Sequence, residues 1–114
     1  MQNDEQLAPI EIDLSINSND GNIDENYLQM FGQGVKQIMN MMFGGPSAYV
    51  PTRVKGTSSE LKAFAKTLAR DKKYIKSAAK FGLNDPRVLK DKYQLRKAIA
   101  NFERATGIKY PIVK

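Results

Sequence analysis

The stretch from Thr57 to Gly107 constrains the fold more than any other, because it carries two long helical patterns with both ends marked. Thr57-Ser58-Ser59-Glu60 is a capping box, in which the Thr57 and Glu60 side chains each accept the other residue's backbone N–H. Leu61, Phe64, Ala65, Leu68, Ile75 and Ala79 then share one helical face. At about 100° per residue, Lys62, Lys66, Arg70, Lys73, Lys76 and Lys80 fall within roughly a third of the circumference opposite it. Lys72 falls on the apolar side, so either its stem lies along the core or the helix bends near Arg70-Asp71. Gly82 supplies the stop.

A second helix restarts at Asn84-Asp85-Pro86. Asp85 is the N-cap, and Pro86 takes the first helical position, where its missing N–H costs nothing. Val88, Leu95, Ala98, Ile99 and Phe102 make its apolar stripe, while Arg87, Lys90, Lys92, Arg96, Lys97 and Arg104 cover much of the remainder. Gly107 ends it, and the tail from Ile108 is extended around Pro111, its apolar residues stapled back over the core.

Upstream, Asp24 to Phe43 has helical periodicity, with Leu28, Phe31, Val35, Ile38, Met39 and Met42 on one face. Asp24 and Glu25 complement the dipole of the first turn, and Gly44-Gly45-Pro46 ends the pattern. Gln29, Gln33, Gln37 and Asn40 make an opposite face with little charge, and Gly32 and Gly34 permit close approach of another chain segment. Either another subunit covers this helix on a second side, or it is a short buried core helix. Residues 44–57 read as a loop, and their glycines lack the spacing of a phosphate-binding loop.

Ile10-Glu11-Ile12-Asp13-Leu14-Ser15-Ile16 alternates with period two, a strand signal that places Ile10, Ile12, Leu14 and Ile16 on one face. No convincing second strand lies nearby. The segment is then either an acidic tail or an arm that adds to a sheet edge on another subunit. Residues 17–22 are a turn-rich linker. The expected architecture is all-α: a small bundle of three to four helices with an extended, partly strand-like N-terminal arm. Residues 1–22 form the acidic arm and linker, and residues 23–114 the basic helical domain.

Charge follows the same division. Residues 1–25 hold seven acids and no base, whereas the remainder holds all 18 bases against five acids, a net of +13. Such a body suits negatively charged partners, with an arm that screens it or reaches elsewhere; the alternative is that both charges serve solubility alone.

The absence of Cys and His removes thiolate and imidazole chemistry, including the commonest general base and metal ligand. Of the body's carboxylates, Glu60 and Asp85 have capping roles, and Asp71 and Asp91 sit beside lysines, where ion pairing and solubility account for them. No two acids are placed to share a metal, so neither an enzyme nor a cofactor-binding protein is expected. No apolar run spans a membrane, and Asn3-Asp4-Glu5 is unlike a secretory signal, so a soluble protein is expected.

The basic stripes on two successive helices would neutralise several phosphates. Tyr74, Phe81 and Tyr93 are positioned in sequence to stack on bases. The short turn Gly82-Leu83-Asn84-Asp85 resembles that of a helix-turn-helix. The preponderance of lysine, 13 Lys to 5 Arg, favours phosphate contact over base reading.

Phe81-Gly82-Leu83-Asn84-Asp85-Pro86-Arg87, followed by Ala100-Asn101-Phe102-Glu103-Arg104-Ala105-Thr106-Gly107-Ile108-Lys109-Tyr110-Pro111, resembles the ends of small tailed-bacteriophage proteins. The resemblance covers at most about half of the chain. It implies a virion-associated context, in a particle or the host cytoplasm, and no particular activity. The leading expectation is a structural or assembly protein of a phage particle. Its arm residues Ile10, Ile12, Leu14 and Ile16 would bind neighbouring subunits, capsid or other virion proteins. The alternative is a non-enzymatic DNA-binding accessory protein. In either case Lys62, Lys66, Arg70, Lys73, Lys76, Lys80, Arg87, Arg96 and Lys97 would meet DNA or an acidic surface.

Overall fold

The computed structural model describes residues 10–17, 23–44 and 52–111. The expected arm residues before Ile10, the linker over 18–22, residues 45–51 of the expected loop and the last three residues lie outside the described part. The fold is mostly α. A strand β1 (Ile10–Asp13) leads to helix α1 (Glu25–Met42), a second strand β2 (Thr52–Lys55), and helices α2 (Ser58–Phe81) and α3 (Pro86–Thr106).

The helix ends are where the side-chain chemistry puts them. Asp24 accepts the Tyr27 N–H to start α1, and the Thr57–Glu60 capping box is complete in both directions. Asp85 caps α3 with Pro86 inside the first turn. Gly107 closes that helix in the left-handed conformation at φ 74°, donating to the Glu103 carbonyl. Helix α2 runs unbroken past Arg70-Asp71, and Lys72 is half-buried with its ammonium 5.8 Å from the Phe43 ring centroid.

The first correction concerns the lone strand. β1 pairs in parallel with β2 of the same chain, Ile10 against Thr52 and Asp13 against Lys55. The Leu14 N–H continues the ladder to the Lys55 carbonyl at 2.8 Å. Thr52-Arg53-Val54-Lys55 has too few apolar residues to announce itself as a strand, and helix α1 supplies the crossover a parallel pair requires. With an edge available in cis, the apolar face of β1 turns inward. Ile12 and Leu14 have no exposed surface, and Ile10 and Ile16 pack half-buried against the same core. Residues 10–16 are therefore part of the helical body rather than an arm standing off from it.

Gly34 explains how the strand reaches α1. A Cβ there would lie 2.6 Å from Ile12 Cδ1, so the glycine is the gap into which β1 packs. The close approach expected of α1 is thus made by this chain's own strand.

Phe31, Phe64 and Phe102, one from each helix, meet with centroids 5.6 to 5.9 Å apart. Tyr110 closes the group edge-on to Phe31 and Phe102, so the tail staples over the core. A smaller cluster of Tyr74, Val88 and Leu95 joins α2 and α3 farther along. The inward face of α2 is rotated from the expected one. Leu61 and Ile75 are exposed, and Thr67, Asp71 and Tyr74 are buried in their stead. Asp71 is 1 % exposed and accepts a hydrogen bond from the Tyr110 hydroxyl at 3.1 Å, which corrects its reading as a solvated neighbour of lysines.

Candidate nucleic-acid interface

The α2–α3 hairpin extends beyond the aromatic core, and its groove is built from both helices. Lys73, Lys76, Ser77 and Lys80 come from the last turns of α2, Phe81 from its end, and Arg87, Lys90 and Asp91 from the first turns of α3. Together they line an open concavity of about 510 Å³. Gly82, at φ 90° and ψ 156°, makes the turn that folds α3 back alongside α2, a conformation strained for any residue with a Cβ.

Five cations thus line the groove, against Asp91 in its lining and Asp85, which is bonded to Arg87. Asp91, with 12 % of its side chain exposed, lies 3.8 Å from the Lys73 ammonium. Among the described residues, Lys76, Lys80 and Lys90 have no ion-pair partner. Crowding like charges around a concave surface concentrates the positive potential there and attracts polyanions.

Arg87 is held differently from the lysines. Its Nε and Nη2 donate to the two Asp85 carboxylate oxygens, each at 3.0 Å, while Asp85 also caps the Arg87 backbone N–H. Those bonds hold the Asp85 carboxyl at about 2 and raise the guanidinium further above its ordinary value. The guanidinium carbon sits 3.5 Å from the Phe81 ring centroid, with the Lys80 ammonium 5.3 Å from the same ring.

Of the cations named from sequence, the groove gathers Lys73, Lys76, Lys80 and Arg87. Lys62 and Lys66 are exposed on the first half of α2, Arg70 is half-buried, and Arg96 and Lys97 are exposed farther along α3; none of these lines the groove. Lys90 and Ser77 complete it. Lys90 carries a readable signal, since it lies three residues after Arg87 on the same side of α3. Of the aromatic residues expected to stack on bases, Phe81 is half-buried at the groove and Tyr93 is 60 % exposed with Lys97 nearby. Tyr74 is buried in the smaller core cluster, with 7 % of its surface exposed.

The body's carboxylates all have structural partners. Glu60 accepts from the Ser15 hydroxyl at 2.6 Å and the Thr57 N–H at 2.8 Å, and Glu103 accepts the Tyr110 N–H. Asp71, Asp85 and Asp91 are engaged by Tyr110, Arg87 and Lys73. Among the described residues no group of three or more acids could hold a metal ion, and no helix is long and apolar enough to cross a membrane. Comparison with protein families, with curated proteins and with solved structures finds no match to this chain.

Proposed function

We propose that this chain is a non-enzymatic accessory protein that binds the phosphates of a nucleic acid in the α2–α3 groove. The observation that carries the reading is the gathering of five cations, two of them paired with Asp91 and Asp85, around a concavity of about 510 Å³. Four lysines supply mobile positive charge, the form suited to backbone contact rather than base reading. The resemblance of the C-terminal half to small tailed-phage proteins supports a setting in a phage particle or its assembly, where packaged DNA is the polyanion. The expected use of β1 as a partner-seeking arm loses its support, because its inner face is occupied within the chain.

The test is affinity for DNA across a salt series. The logarithm of affinity should fall linearly with the logarithm of salt concentration, and K76E/K80E should weaken binding at least about tenfold. Lys66, exposed but outside the groove, serves as control, and K66E should change affinity much less. Binding that is insensitive to K76E/K80E rules the groove out.

A second reading, assembly with neighbouring protein subunits, is supported by Leu83, Leu89 and Ile75. These are 64 %, 50 % and 40 % exposed on another surface of the same hairpin. A wild-type protein that sediments as a monomer at high concentration, identically to L83S/L89S, removes self-association from consideration.

A further inference from the structure

Resting on the groove as a nucleic-acid site, we propose that Arg87 is a stacking plate for an unpaired base and that the groove's preferred ligand is single-stranded nucleic acid. The guanidinium can recognise a phosphate or a guanine edge only through its N–H fork. Here the side-on edge of that fork is occupied, with Nε and Nη2 both donating to Asp85 at 3.0 Å, which leaves Nη1 and the second Nη2 hydrogen for such contacts. One face of the plane is also occupied, by the Phe81 ring at 3.5 Å. Beyond that end, Arg87 offers the other face of its plane, on a side chain that remains 64 % exposed.

That face is flat, cationic and fixed in orientation before any ligand arrives, so a base loses little by stacking on it. Lys76, Lys80 and Lys90 line the same groove and have no ion-pair partner among the described residues, which suits them to the flanking phosphates. A duplex keeps its base faces against one another and cannot use the plate, although it can still meet the lysines. Single strands gain both contacts.

The experiment compares a 12-nucleotide oligo-dT with a 12-base-pair duplex, using the full chain, R87K and K76E/K80E, each across a salt series. R87K keeps the charge and removes the plane. It should weaken oligo-dT binding by roughly 5- to 50-fold, the scale of a lost base stack, while leaving duplex affinity and the salt slopes unchanged. F81L, which keeps an apolar side chain but removes the ring behind the guanidinium, should move in the same direction. Thermal melts of each variant separate these effects from loss of fold. If wild type binds both ligands equally, or R87K weakens both alike, Arg87 is only a charge and the stacking assignment falls. In that case a loss of binding in K76E/K80E would still uphold the groove. If K76E/K80E changes neither ligand, the groove itself is wrong and the stacking assignment falls with it.

Discussion

The molecule holds two differently built regions. In the body, all three helices, β1 and the C-terminal tail converge on Phe31, Phe64, Phe102 and Tyr110, so each element is fixed by several others. At the hairpin tip, α2 and α3 have only each other among the described residues, joined through Tyr74, Val88 and Leu95. The body spends its aromatic residues on burial. The tip leaves Leu83, Leu89 and the groove lysines on the surface. The main core and the proposed groove are thereby separated along one pair of helices, and the groove lies where local opening is least opposed.

The largest expected effect lies in the body. Phe102→Ala should cost about 3–5 kcal/mol in urea denaturation, whereas Val88→Ala at the tip should cost about 0.5–3 kcal/mol. Amides near Val88 should also exchange with solvent before those near Phe64. Equal costs and uniform exchange would mean that the two regions form one cooperative unit and would break the comparison.

Gly34→Ala should cost about 1–3 kcal/mol, because the added methyl collides with Ile12 and must push β1 outward. The same denaturation measurement checks it, and a neutral result would mean that the strand is loosely seated.

Tyr110→Phe removes the hydroxyl that donates to Asp71 and should cost about 1–3 kcal/mol. Burial, then the Asp71 charge, raises the Tyr110 pKa above its ordinary value of 10.0. The folded state therefore holds the proton more tightly than the unfolded chain does. The resulting stability is complete below pH 10 and declines as pH rises beyond it, which the Phe variant should not show.

The smallest effect sharpens the join between β1 and α2. The hydrogen bond from Ser15, then that from the Thr57 N–H, lowers the Glu60 pKa below 4.5. This contribution is present above pH 4.5 and is lost as pH falls through the depressed value. Glu60→Gln should cost about 0.5–1.5 kcal/mol at neutral pH and flatten the acid limb of stability against pH.

The sequence made the helices legible because capping depends on neighbours a few residues apart: Asp24, Thr57 with Glu60, Asp85 with Pro86, and Gly107. It hid β2, whose four residues become a strand only once β1 lies beside them. Asp71 shows a different failure. It lies seven residues after Phe64, two helical turns along the inward face, yet its charge argued for solvent; the hydroxyl that makes its burial tolerable comes from Tyr110, 39 residues away. All five of the groove's cations stood in the basic faces of the two helices, but such a face does not say which members line a concavity. That depends on how α3 returns past Gly82. Arg87 was counted as a charge, because nothing in its spacing reveals that Asp85 and Phe81 occupy one edge and one face of its plane.

The parallel pairing of Ile10–Asp13 with Thr52–Lys55 also sets an order of events during synthesis. β1 leaves the ribosome before β2 exists and must wait for α1 and the chain beyond it. Throughout that interval its apolar alternation is open to pairing with another nascent chain. Glu11 and Asp13, interleaved with Ile10, Ile12 and Leu14, place negative charge on the opposite side of the strand, and like charges discourage two such segments from lying together. The acids of this segment thus act as a temporary guard for a strand whose proper neighbour is made later.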